Sequence, residues 1–184
     1  MTGAVARAVT AFFFAGAFAS LANAETVHFC WQGENGFTMT GRMEFPDTLS
    51  DAALITQDDV TAFVITGYLN GRALGRWDAM KRQPQATWYL RYIPREMRFP
   101  VNGEVMGHID QGWNANGDAD DCGAGGFGFN AGNYAQDFCL NGRWVEESGM
   151  PPPTPFYAMA EPPANPDCSG PMMMMKQGLL PEAH

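Results

Sequence analysis

Four side chains with amide or carboxylate oxygens alternate along the stretch from Trp113 to Cys139, at Asn114, Asn116, Asp118 and Asp120. Asx residues at every second position are the set with which a calcium loop surrounds a hard cation, so these four are the candidate metal ligands. Counted from Asn116, the helix-loop-helix calcium pattern finds Asp118 and Asp120 at its third and fifth places. It then meets Asp121 where glycine is required and Phe127 where glutamate is required. The motif fails, and what remains is an irregular surface site with weak calcium affinity. No other cofactor is expected. The same residues also serve as turn formers, and the glycines from 123 to 128 allow a tight path past packed neighbours.

Covalent catalysis needs a serine or thiol beside a histidine base and an orienting acid. Beyond the first 24 residues the serines are Ser50, Ser148 and Ser169, none in a G-x-S-x-G turn, and the histidines are His28, His108 and His184. His28 and His108 fall in stretches that read as strands, where a histidine is more often structural than catalytic. The acid pairs Asp58-Asp59, Asp120-Asp121 and Glu146-Glu147 would point to opposite faces of a strand and build no shared site. A hydrolase assembled from dispersed acids and His108 is therefore the rival reading. A metal-handling protein using the Asx loop, or Met172 to Met175 with His184 as soft copper ligands, is another.

Planar rings offer a third chemistry. Exposed aromatics on a sheet stack on sugar faces or on a partner's apolar surface. The candidate ligand-binding residues are Trp88, Tyr92, Trp113 and Tyr134, with binding of a partner protein or a glycan as the leading expectation.

These groups need a scaffold and a compartment. Residues 1–24 carry Arg7, an apolar run from Ala8 to Leu21 and the small residues Ala22-Asn23-Ala24. That is the layout of a secretory signal, too short in its apolar part for a comfortable membrane span. Its removal takes away one arginine and no acid, leaving a chain one unit more negative than the −9 of the whole. Such a charge disfavours nucleic acid and anionic lipid, which both attract clustered lysine and arginine. No membrane span is expected after signal removal. The four cysteines, Cys30, Cys122, Cys139 and Cys168, read as two disulfides of a secreted or periplasmic protein, with three pairings open. The preferred pairing closes the glycine-rich loop with Cys122–Cys139 and leaves Cys30 for Cys168.

Asn-Gly recurs at 35-36, 70-71, 102-103, 116-117 and 141-142, and all but the fourth of these lie between strand-like runs. Both residues tolerate the positive φ of a two-residue hairpin turn, which makes the dipeptide a strong hairpin signal. Phe37, Met39, Gly41, Met43 and Phe45 alternate with Thr38, Thr40, Arg42 and Glu44, a period of two with one buried face. Thr87 to Ile93 adds an aromatic, β-branched run. Only Thr48 to Asp59 offers helical features. The spacing predicts an all-β fold, an antiparallel hairpin meander closed as a sandwich or a flattened barrel, over 25–148.

Residues 149–184 hold nine of the thirteen prolines and the Met172 to Met175 run. Proline removes ladder donors, so this tail is expected to stay out of the sheets, tethered only through Cys168.

The opening F-C-W-Q-G-E-N-G-F-T-M-T-G-R-M-E-F, with I-T-Q-D-D-V-T-A-F-V-I after it, resembles the start of small exported bacterial β-rich proteins of uncharacterised function. The likeness covers residues 27 to 70. It implies a secreted β domain and brings no catalytic or binding residue with it.

Overall fold

The computed structural model describes residues 23–118 and 120–169. The expected signal segment, apart from Asn23 and Ala24, lies outside the described residues, as do the methionine run and His184. Strands β1 (Ala24–Gln32) and β2 (Phe37–Pro46) form the first hairpin, followed by the short β3 (Ile55–Thr56). A second hairpin pairs β4 (Ala62–Leu69) with β5 (Arg72–Asp78). Short strands β6 (Trp88–Tyr89), β7 (Arg91–Tyr92) and β8 (Arg98–Phe99) lead to β9 (Ile109–Trp113), β10 (Phe127–Gly132), β11 (Gln136–Leu140), β12 (Arg143–Met150) and β13 (Phe156–Met159).

Two antiparallel sheets result. One has the order β5-β4-β2-β1-β13-β8 and the other β12-β11-β10-β9-β6, while β3 and β7 pair apart from both. The sheets do not close into a barrel; they face each other as a sandwich over an aromatic core. Trp113 of β9 lies 5.4 Å from the ring of Phe29 and 4.7 Å from that of Phe63, both on the opposite sheet. Trp31 of β1 meets Phe129 and Phe138 of the other sheet at 5.1 Å each. Its indole N–H donates to Gln136 Oε1 at 2.9 Å, so the polar edge of the ring is satisfied inside the core.

The Asn-Gly turns divide into two kinds. Asn70-Gly71 and Asn141-Gly142 are two-residue turns with positive φ at both residues, joining the directly paired Leu69 and Arg72, and Leu140 and Arg143. Asn35-Gly36 closes the first hairpin with a wider turn, in which Gly33 N–H donates to Phe37 O. Asn102-Gly103 also has positive φ, but the chain on either side enters different sheets, so the hairpin expected there does not form. The loop instead folds on itself: the backbone N–H groups of Val105 and Met106 both donate to Asp110 Oδ1 at 3.0 Å. No α-helix forms over 48–59; a single 3₁₀ turn, Asp47–Leu49, precedes β3.

The proline-rich segment departs most from expectation. Phe156 to Met159 enters the large sheet between β1 and β8, with His28 opposite Met159 and Phe29 opposite Ala158. Phe156 and Ala158 are buried. The prolines stop at Pro155 and resume at Pro162, and that proline-free interval is long enough for a four-residue strand. Ordered packing therefore continues beyond 148.

Candidate ligand-binding grooves

Of the rings expected to bind ligand, Trp113, Trp88 and Tyr92 are core residues at 0%, 8% and 1% exposure. The reason is volume: a small sandwich fills its interior with its largest apolar side chains. Burial, with the Glu25 carboxylate adding to it, keeps the Tyr92 phenol protonated well above its usual range. Tyr134, in the β10–β11 turn, is 87% exposed. Among the described residues, the other exposed aromatic rings of Phe, Trp or Tyr are Tyr89, Trp144 and Tyr157. They sit on β6 and β12, the opposite edges of one sheet, and on β13 of the other, so they form no single aromatic platform.

The Asx loop turns inward onto itself. Asn114 Nδ2 donates to the Phe127 carbonyl at 2.9 Å, Asn116 Nδ2 donates to Asp120 Oδ1 at 3.0 Å, and Asn116 Oδ1 accepts from Asp118 N–H at 2.9 Å. Asp121 accepts from the Asn116 N–H and from the Thr87 hydroxyl. The alternating side chains serve as turn formers, and among the described residues no group of three or more His, Cys, Asp or Glu is placed to hold a metal. The loop is closed by Cys122–Cys139. His108 Nδ1 donates to the Met106 carbonyl at 3.0 Å. Neither groove described below includes it or any residue of 114–121.

Open space is found instead on the outer face of the large sheet. Because Val27, Phe29 and Trp31 point to the core, His28, Cys30 and Gln32 of β1 point outward. Register then fixes their neighbours across the sheet. His28 lies opposite Arg42, which lies opposite Val64; Cys30 lies opposite Thr40, then Thr66, then Arg76; Gln32 lies opposite Thr38, then Tyr68. The result is a polar, partly cationic surface carried by β1, β2, β4 and β5.

Cys30 bonds Cys168 on this face. The bridge pulls residues 160–168, which leave β13 beside β1, back across the outward side chains as a strap. Thr38 Oγ1 donates to Pro166 O at 2.7 Å and Gln32 Nε2 to Asp167 O at 3.4 Å. Prolines at 162, 163 and 166 fix φ and lower the entropy lost in holding the strap in place.

The strap divides the face into two grooves that share Asn165 and Pro166 as a common wall. One, of about 450 Å³, is floored by His28, Thr40, Arg42, Thr66, Tyr68 and Arg76 and walled by Pro162 and Pro163. The other, of about 700 Å³, lies at the end of the sandwich between the two hairpin turns, with Gln32, Glu34, Thr38, Asn70 and Asp167 on its sides. Partial burial, followed by the Arg42 guanidinium, lowers the His28 pKa, while Glu161 on the strap opposes the shift. Thr40 and Tyr68 hydroxyls stand 3.5 Å apart. The polar groups of the smaller groove are hydroxyls, an amide, an imidazole and guanidinium groups.

These residues are absent from the sequence-based candidates, His28 excepted as a possible base. Alternation placed Thr38, Thr40 and Arg42 on one face, and Cys30 shares that face. The Cys30–Cys168 pairing was the signal that a later segment must cross it. Comparison of the chain with family models, curated proteins and solved structures finds no match.

Proposed function

We propose that this protein is an exported, non-enzymatic binding domain that holds a glycan or a segment of a partner protein in the grooves beside its disulfide-fixed strap. The observation that carries this reading is the Cys30–Cys168 bridge, which holds a proline-rich segment over a polar sheet face instead of over apolar packing. A strap placed for stability alone is best set on apolar side chains, where burial contributes about 25 cal/mol per Å². Here it borders hydroxyls, amides and arginines and leaves space on both sides. Export is supported by the signal-like first 24 residues and by two disulfides, which persist in oxidising compartments. Among the described residues no helix is long and apolar enough to cross a membrane.

Binding of the purified domain to glycan and peptide arrays, run beside a Thr66→Trp variant that fills the smaller groove, tests the reading. Signals present for the natural sequence and lost in the variant support it. Signals that survive unchanged both in Thr66→Trp and in Gln32→Trp, which fills the larger groove, or hydrolysis of an arrayed compound, would refute it.

A further inference from the structure

The smaller groove has a charge opposite to that of the protein. The whole chain carries −9, yet Arg42 and Arg76 extend from the groove floor and its lining holds no carboxylate. Arg42 pairs with Glu44 at 2.7 Å on the exposed surface. Among the described residues, Arg76 makes no ion pair. The carboxylate nearest along its own strand, Asp78, is engaged by Lys81 at 3.3 Å and by the Met80 N–H at 3.1 Å. Arg42 on β2 and Arg76 on β5 flank β4, two strand spacings apart and two residues out of register, so about 12 Å of sheet separates their backbones. Two cations at that separation suit a ligand with repeated acid groups, each taken by a planar guanidinium fork.

The floor also selects against an extended peptide. Strands β2 and β4 have neighbours on both sides, and β1 has β2 on one side and β13 beside His28 and Phe29 on the other, whereas β5, which carries Arg76, is an edge strand. Three prolines in the strap lack an N–H. Strand addition, which gives peptides their affinity, thus finds a partner along the outer edge of β5 and not on the face that the groove covers. What the groove offers is hydroxyls: Thr66, and Thr40 and Tyr68 at the long mutual distance of 3.5 Å, which leaves their hydrogen-bonding capacity for another molecule.

Resting on the binding reading above, we propose that this groove recognises an acidic saccharide: Arg42 and Arg76 take its carboxylates while Thr40, Thr66 and Tyr68 take ring hydroxyls. Calorimetry with trigalacturonic acid, its fully methyl-esterified form and hexa-aspartate tests this. Proteins of natural sequence, Arg76→Gln and, as a control on the other sheet, Arg143→Gln are compared. The expected result is binding of trigalacturonate that is at least tenfold weaker for the ester, for hexa-aspartate and for Arg76→Gln, and unchanged for Arg143→Gln. No binding of trigalacturonate, equal binding of hexa-aspartate, or no effect of Arg76→Gln would overturn the proposal. Equal binding of the ester, with loss in the groove-filled Thr66→Trp variant, would overturn acid recognition while leaving the groove as a binding site. Binding that survives Thr66→Trp would remove both.

Discussion

The hydroxyl of Thr38, 6% exposed on β2, donates to the carbonyl of Pro166 at 2.7 Å, across 128 residues of chain. The Pro166 carbonyl is an acceptor, and the sheet supplies its donor. Thr38→Val leaves that carbonyl unpaired at nearly constant volume. The expected loss is about 1 kcal/mol by urea denaturation, with faster amide exchange over 164–168 and unchanged exchange in β9 to β11.

The two disulfides should differ in worth. Sequence separations of 17 for Cys122–Cys139 and 138 for Cys30–Cys168 correspond, in the chain-entropy model, to about 3 and about 5 kcal/mol. Paired Cys→Ser variants, unfolded in guanidinium, should therefore rank with the strap variant as the less stable. Equal losses would show that the strap is already ordered without its bridge.

Trp113 is expected to act on stability and not on ligand. Its ring packs on Phe29, Phe63, Phe99, Phe129 and Phe156, so Trp113→Ala should cost about 3–5 kcal/mol. Trp113→Phe, which stays folded, should bind arrayed ligands as the natural sequence does. A selective loss of binding in that variant would restore Trp113 to the site.

Asp137, 4% exposed on β11, has its carboxyl pushed up to about 6 by burial, against the opposing hydrogen bonds from Asn130 and Trp144. The folded pKa lies above the unfolded value of 3.8, so the folded state binds the proton more tightly. Asp137 therefore favours folding below about pH 4, and that contribution is lost as pH rises through about 6. At pH 7 the penalty is about 3 kcal/mol, from about two units at 1.36 kcal/mol each. Denaturation curves should show stability falling from pH 4 to 6 on this account, and Asp137→Asn should flatten that slope. A slope unchanged in the variant would assign it to another group.

The Asx loop should respond little to calcium, because the side chains of Asn114, Asn116, Asp120 and Asp121 are engaged with one another and with backbone. Excess calcium is expected to leave the melting temperature within about a degree, since a barely occupied site adds almost nothing by linkage. A rise of several degrees, abolished by Asp118→Ala, would show that Asn114, Asn116, Asp118 and Asp120 rearrange into a cation site.

The all-β class, the β1–β2 and β4–β5 hairpins and the inward set from Phe37 to Phe45 were legible because period-two alternation and Asn-Gly φ preferences are local. Non-local choices were not. Thr87 to Ile93 reads as one strand, yet Trp88–Tyr89 joins one sheet and Arg91–Tyr92 pairs with β3, a division no local preference encodes. Gly67 and Gly75 look like weak points within strands. They lie opposite each other as the seat of Phe127 from the facing sheet, where an added Cβ would approach the Phe127 side chain to 2.3 and 2.5 Å. Strand β13 was hidden by the prolines on either side of it. Exposure of the rings was unreadable because it depends on which face the opposite sheet covers.

The strap grooves are tested most directly by titrating ¹⁵N-labelled protein with trigalacturonic acid and following every assigned backbone amide. The expected result is a set of shifts confined to residues 28–42, 64–76 and 161–168, with the smaller groove at its centre. Shifts centred instead on Tyr89, Tyr134 and Trp144 of the other sheet, or no shift at all, would contradict it.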